Sequence, residues 1–179
     1  MNKIQIHPIY IPGLQNQIAD SLSRLEQAGD YQLNDKAQQF LHLNFQEFPK
    51  IDAFSTSRNH ILPQFFTTTF NQQAIATDAF QQSWRNQSIL IHPPIIMLQK
   101  VVRKISMEKP RGVVIAPDWV GQPWYSDLEI LSSKKISLGP CVNNLKPGRR
   151  MKRRKTKLPP GDLVAWEIKT QMENNSSQV

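Results

Sequence analysis

Gly112-Val113-Val114-Ile115-Ala116-Pro117 is the stretch on which the fold turns. Its apolar residues run on without alternating with polar ones. That pattern describes a strand covered on both faces, as in a parallel sheet flanked by helices. Working upstream, Leu98, Val101, Val102 and Ile105 share one face of a helix, with Lys100, Arg103 and Lys104 on the other. Before it stands Ser88-Ile89-Leu90-Ile91, a strand ended by His92-Pro93-Pro94. Ala74-Ile75-Ala76-Thr77-Asp78 reads as a shorter strand, and Ile51-Asp52-Ala53-Phe54 as one entering the polar loop Ser55-Thr56-Ser57-Arg58-Asn59. Downstream, Trp124 to Leu131 reads as a helix and Ile136-Ser137-Leu138 as a last strand. Strands alternating with helices make the fold class α/β with a mostly parallel sheet. Such sheets bind ligands at the carboxyl ends of their strands. Asp52, Asp78, His92 and Asp118 are all expected there, converging on one crevice.

Further upstream the texture is different. Residues 4–11 read as a strand that Pro8 confines to an edge, and Pro12-Gly13 as a turn. Leu14, Ile18, Leu22 and Leu25 then recur at helical spacing up to Gly29. Asn34 is placed to cap a second helix that buries Phe40, Leu41 and Phe45 and stops at Pro49. From Pro140 onward no periodicity is sustained. The expected organisation is therefore a remnant at 1–29, an α/β domain at 30–139 and a mobile basic tail at 140–179, with a short strand at Leu163-Val164-Ala165-Trp166.

The 179 residues are 39% hydrophobic, enough for one domain's core but not for a core along the whole length. No apolar run reaches the roughly 18 residues of a membrane span, and no long apolar segment near Met1 suggests a secretory signal. One cysteine, Cys141, excludes an internal disulfide and a multi-cysteine zinc site, and fits an intracellular compartment. His7, His42 and His60 are too isolated to form a metal site. The net charge of +8 equals one cluster: Lys146, Arg149, Arg150, Lys152, Arg153, Arg154, Lys155 and Lys157, with no acid among them. Attraction to a polyanion, DNA or RNA, therefore belongs to that segment. Runs of this density serve as phosphate clamps or nuclear-localisation signals.

Ile11-Pro12-Gly13-Leu14-Gln15-Asn16 followed by Ala19-Asp20-Ser21-Leu22-Ser23-Arg24 resembles the last strand, turn and helix of the RNase H domains of retroelement polyproteins. In that family the aspartate matching Asp20 is one of four carboxylates around two metal ions that activate water. The strands that would bring the other three are missing here, so the resemblance implies an incomplete site.

A second pattern spans residues 48–128. It comprises Ile51-Asp52-Ala53-Phe54-Ser55-Thr56 with Asn59, Thr77-Asp78-Ala79-Phe80 with Trp84, His92-Pro93-Pro94-Ile95, and Val114-Ile115-Ala116-Pro117-Asp118-Trp119 with Gln122-Pro123-Trp124-Tyr125. This order resembles the region after RNase H in DIRS-type retrotransposons, which is similar to Dam-type and phage DNA adenine methyltransferases. The resemblance implies a Rossmann-like sheet and a cofactor, S-adenosylmethionine, near Asp52, Phe54 and Asp78. It also implies a target-base loop at His92-Pro93-Pro94-Ile95. In the family that loop carries Asp or Asn, to accept hydrogens from the adenine amine, and an aromatic to stack on the flipped base. His92 and Ile95 depart from both. Together the losses amount to roughly 4–7 kcal/mol, on the order of a thousandfold or more in rate. The glycine-rich cofactor turn is replaced by Ser55-Thr56-Ser57.

The resemblance thus implies a retroelement polyprotein fragment with a degenerate adenine-methyltransferase-like domain. The alternative is a non-catalytic nucleic-acid-binding or scaffolding module whose affinity lies in the basic run. Simpler readings stand beside both: Asp52 and Asp78 as loop caps, Pro93-Pro94 as a stiff strand-to-helix turn, and Trp84, Trp119, Trp124 and Tyr125 as packing residues.

Overall fold

The strand β6 (Arg111–Pro117) organises the molecule by sending alternate side chains to two cores. Val114 and Ala116 enter one, Val113 and Ile115 the other. This computed structural model describes residues 31–168. The strand at 4–11, the helix from Leu14, the RNase H-like motif with Asp20, and residues 169–179 lie outside the described residues.

Seven strands form one mixed, mostly parallel sheet in the order β4-β3-β2-β5-β6-β9-β7. They are β2 (Ile51–Ser55), β3 (Gln64–Thr67), β4 (Ala76–Thr77), β5 (Ser88–Ile91), β6, β7 (Ser132–Pro140) and β9 (Asp162–Ile168). The pairs from β4 to β6 are parallel; β9 runs antiparallel to both β6 and β7. A separate two-stranded ladder joins β1 (Tyr31–Leu33) to β8 (Leu145–Pro147).

Helices cover both faces because their apolar residues fall on one side. On α2 (Leu98–Glu108), Leu98, Val101, Val102 and Ile105 are buried, and beside it α3 (Pro123–Leu131) buries Trp124, Tyr125 and Leu128. Both pack against Ile89, Ile91, Val114, Val164 and Trp166. On the other face α1 (Asp35–Asn44) packs Ala37 and Leu41 against Leu90, Val113, Ile115 and Ala165. Asn34 caps α1 by accepting from the Ala37 N–H at 2.9 Å, which satisfies one orphan donor of the first turn. The helix ends at Asn44, before Pro49, and Phe40 is only half-buried. Trp84, Trp119, Trp124 and Tyr125 are all buried packing residues.

The expectation of a mobile basic tail is corrected. Its boundary falls at the end of β7, and the next 28 or so residues — about the size of a supersecondary unit — are built into the fold. Cys141–Asn144 forms a short helix, α4, and the basic run itself forms α5 (Arg149–Arg154), pinned by the buried Met151. Leu163-Val164-Ala165-Trp166 lies between β6 and β7, with Trp166 fully buried. Strand β3 is a second addition to the expected elements, while the strand read at Ala74–Asp78 shrinks to Ala76–Thr77.

Helix α5 ends at Lys155, which takes a left-handed conformation (φ 53°) while Thr156 N–H bonds back to Met151 O. Glycine occupies such a position without the Cβ penalty. Lys155→Gly is expected to stabilise the fold by about 0.5–1 kcal/mol in a urea titration. A loss of stability would show that the Lys155 side chain, not its backbone, holds the turn.

Candidate functional site

His92 follows directly on β5, and Asp118 on the neighbouring β6. Both are at the carboxyl edge, but each has its own environment. The His92 imidazole lies 5.5 Å from the Tyr31 ring, tilted by 54°. Burial lowers its pKa to about 4, so the ring is neutral near pH 7. Burial also raises the Tyr31 phenol above its ordinary value, so it stays protonated. Pro94 then begins a 3-10 turn at Ile95–Met97 that runs into α2. Ile95 is only 3% exposed and packs in the core with Leu98 and Ile91. It cannot present a surface to a base.

Asp118 accepts from Tyr125 OH at 2.6 Å and from Lys135 Nζ at 3.0 Å. Those two bonds, the Tyr125 one first, hold its carboxyl below the usual carboxylate range. Lys135 also bonds to the Tyr125 hydroxyl and lies over the Tyr125 and Trp166 rings. Burial and the Asp118 carboxylate push the Tyr125 phenol up. A tyrosine kept protonated in this way is no base or nucleophile. The cluster ties β6, α3 and β7 together. Lys135 is the member that the sequence reading missed. Nothing in the run Ser133-Lys134-Lys135-Ile136 distinguishes the lysine that reaches Asp118 from its neighbour, which reaches Asn44 O.

Asp52 is the second residue of β2, not its end. It lies on the opposite face from Ile51 and Ala53 and accepts from the Ile61 N–H at 3.0 Å. Only 4% exposed, it has a pKa raised to about 6 by burial, against the opposing Ile61 and Phe54 N–H groups and the His60 charge. Phe54 is packed edge-on against Phe80 and Trp84. Asp78 is exposed after β4, with left-handed backbone (φ 51°), and accepts from the Phe80 N–H at 3.0 Å.

The expected convergence of Asp52, Asp78, His92 and Asp118 is therefore corrected. Asp78 and Asp118 follow strands four places apart in the sheet, about 19 Å at the usual strand spacing. Asp52 faces Ile61 within the sheet's flank, and His92 faces Tyr31. No group of His, Cys, Asp or Glu among the described residues could hold a metal ion.

The residues near β2 do not fit S-adenosylmethionine. The turn after Ser55 is closed on itself: Asn59 Oδ1 accepts from both the Thr56 N–H and the Thr56 hydroxyl at 2.7 Å. Asp52 is buried against the Ile61 N–H, and the Phe54 ring is already packed. Of the three positions only Asp78 faces solvent. A cavity of about 400 Å³ does exist, lined by Val102, Met107, Ile130 and Leu131 among others. It lies between the carboxyl ends of α2 and α3, toward the edge where β6 and β7 begin, opposite to His92.

The basic residues, in contrast, stand at the His92 edge. Pro140 pairs with Asp162 and Pro117 with Leu163, so residues 148–161 project from the end of β6. The Trp119 indole N–H donates to Pro160 O at 3.0 Å, and the Asp118 N–H to Asp162 O at 2.8 Å. Tyr31, which covers His92, pairs with Pro147, two residues before Arg149. The sequence put the proline loop and the basic run in different units; the fold puts both at the same edge of the sheet. Among the described residues no helix is long and apolar enough to cross a membrane. Compared with protein-family models and with curated proteins, the chain matches none.

Proposed function

We propose that this chain is a methyltransferase-like α/β module of retroelement ancestry that has kept the scaffold and lost the catalytic chemistry. The observation that carries the reading is the order of strands in the main sheet. Numbered by appearance within that sheet, they lie 3-2-1-4-5-7-6, with the seventh reversed between the fifth and sixth. That order supports reading the first five as a doubly wound, Rossmann-like array, with its switch point between β2 and β5. The resemblance to adenine methyltransferases implies a sheet of this Rossmann-like kind. The Asp52-Ala53-Phe54-Ser55 motif lies on β2 and the His92-Pro93-Pro94-Ile95 loop follows β5, so the two motifs flank that switch point.

Loss of chemistry follows from the same residues. Ile95 is consumed by the core, His92 is covered by Tyr31, and Asp52 and Phe54 are engaged internally. No residue is left at the loop to accept two amine hydrogens and stack on a base. With labelled S-adenosylmethionine and adenine-containing DNA, turnover is expected to stay well below about one per minute. Calorimetry should show no micromolar affinity for the cofactor. Turnover at or above that rate would overturn the reading.

A second reading, a nucleic-acid-binding module without catalysis, is favoured by one further observation. The whole excess of positive charge is carried on an ordered segment at the edge where ligands of such sheets bind.

A further inference from the structure

We infer that α5 is a groove-binding element that enters the major groove of B-form duplex DNA and touches both phosphate walls. This rests on the nucleic-acid-binding reading above and names the partner for it.

The argument starts from the helix. Of the six residues Arg149–Arg154, five are cationic and exposed, and Met151 alone is buried. At about 100° per residue, Arg149 and Arg153 form a crest opposite Met151. Arg150 and Arg154 lie on one flank and Lys152 on the other, so the flanks are separated by about 160–200°. Cations therefore cover every side of the helix except its anchor.

Such a helix is unfavourable by itself. Arg149 and Arg153 are like charges at i, i+4 and repel each other. Arg149 and Arg150 also sit at the positive end of the helix dipole. The run itself contains no acid. Negative charge on two sides would relieve these repulsions.

Shape selects among polyanions. A single strand offers one line of phosphates and would engage one flank. The A-form major groove is too deep and narrow for side chains to read. The B-form major groove, about 12 Å wide, admits a helix with a phosphate backbone on either side. At about 9 Å in length, α5 fits it. The helix is also held in place beforehand, by buried Met151, by the β1–β8 ladder and by the Trp119–Pro160 bond.

The test is fluorescence anisotropy with the full chain and a short mixed-sequence DNA duplex, the matching RNA duplex, and either single strand, across a salt series. The DNA duplex should bind tightest. Its log affinity should fall with log salt at a slope of about −4.5 if the five helix cations engage, and about −7 if Lys146, Lys155 and Lys157 join them. Lys152→Gln should flatten the slope by about one unit, and Arg149→Gln with Arg153→Gln, or Arg150→Gln with Arg154→Gln, by about two. Arg150→Lys with Arg154→Lys keeps the charge and should keep the slope. Arg149, Lys152 and Arg153 are exposed, and unfolding curves of the Lys152→Gln and Arg149→Gln with Arg153→Gln variants should overlay the parent. An unchanged slope for Lys152→Gln would mean that one wall is touched, and would overturn groove entry. Equal affinity for all three nucleic acids, or for anionic phosphatidylserine vesicles, would overturn the choice of duplex DNA while leaving polyanion binding intact. No binding to any of them at low salt would remove the nucleic-acid-binding reading itself.

Discussion

Gly112→Ala should cost at least about 3 kcal/mol and leave little folded protein under mild urea. Gly112 opens the apolar part of β6 and pairs with Ile89 in the parallel β5–β6 ladder. Its φ is +146°, outside the region that residues with a Cβ adopt. A Cβ built there would stand 1.9 Å from the Ile89 carbonyl oxygen. That oxygen is backbone in the centre of the sheet and cannot swing aside as a side chain could. Either β6 rotates at its start or the β5–β6 ladder opens, and both disturb the two cores that β6 separates. A domain of this kind has only about 5–15 kcal/mol of stability in total. Gly121→Ala is the control: nothing lies within 4 Å of a Cβ there, and its φ is not positive. It should shift stability by less than about 0.5 kcal/mol. If the two variants unfold at the same urea concentration, the β5–β6 register described above is wrong.

What the sequence made legible was local. The run from Val113 to Ala116 is apolar on both faces because both faces are covered, and no partner need be known to read it. The apolar stripe of α2 and the Asn34 cap were legible for the same reason: spacing within one element determines them. Strand β9 was not legible as part of the sheet. Leu163-Val164-Ala165-Trp166 has the same two-sided apolar character as β6, but it comes after two proline-rich turns and an unbroken basic run. Its position between β6 and β7 is a long-range pairing, which composition does not encode. Strand β3 was hidden differently, since Gln64-Phe65-Phe66-Thr67 follows Pro63 and runs into a threonine-rich loop. The candidate site fared the same way. That His92 and Asp118 follow strands was readable. That Tyr31 would lie over His92, and that Ile95 would turn inward, depended on the β1–β8 ladder and the 3-10 turn. Strand order also set Asp78 about four strand spacings, roughly 19 Å, from Asp118, and no motif spacing records that.

Between about pH 5 and 6, above the range in which the lowered carboxyls of Asp118 and Glu108 titrate, the stability of this protein should be nearly flat, because the buried Asp52 and the half-buried His92 oppose each other. Asp52 has its pKa raised by burial from 3.8 to about 6. Between those values the folded state holds a proton that the unfolded state has released. Stability from this group is therefore fully present below pH 3.8 and is lost as pH rises through 6, by roughly 3 kcal/mol in all. His92 has its pKa lowered by burial from 6.5 to about 4. In that interval the unfolded state binds the extra proton. Its contribution is fully present above 6.5 and is lost as pH falls through 4, again by roughly 3 kcal/mol. The slopes have opposite signs over nearly the same interval. Removing one group exposes the other. Asp52→Asn keeps an acceptor for the Ile61 N–H but cannot ionise. It should be more stable than the parent at neutral pH, and its stability should climb as pH is raised from about 5 to 6.5. His92→Gln should do the reverse, with stability falling as pH is raised from about 5 to 6. Urea midpoints collected at half-unit intervals would read both curves. A parent that already climbs or falls steeply through this range, or an Asp52→Asn variant as flat as the parent, would show that one of the two side chains reaches water, and with it that the Tyr31 cover or the Ile61 clasp is not in place.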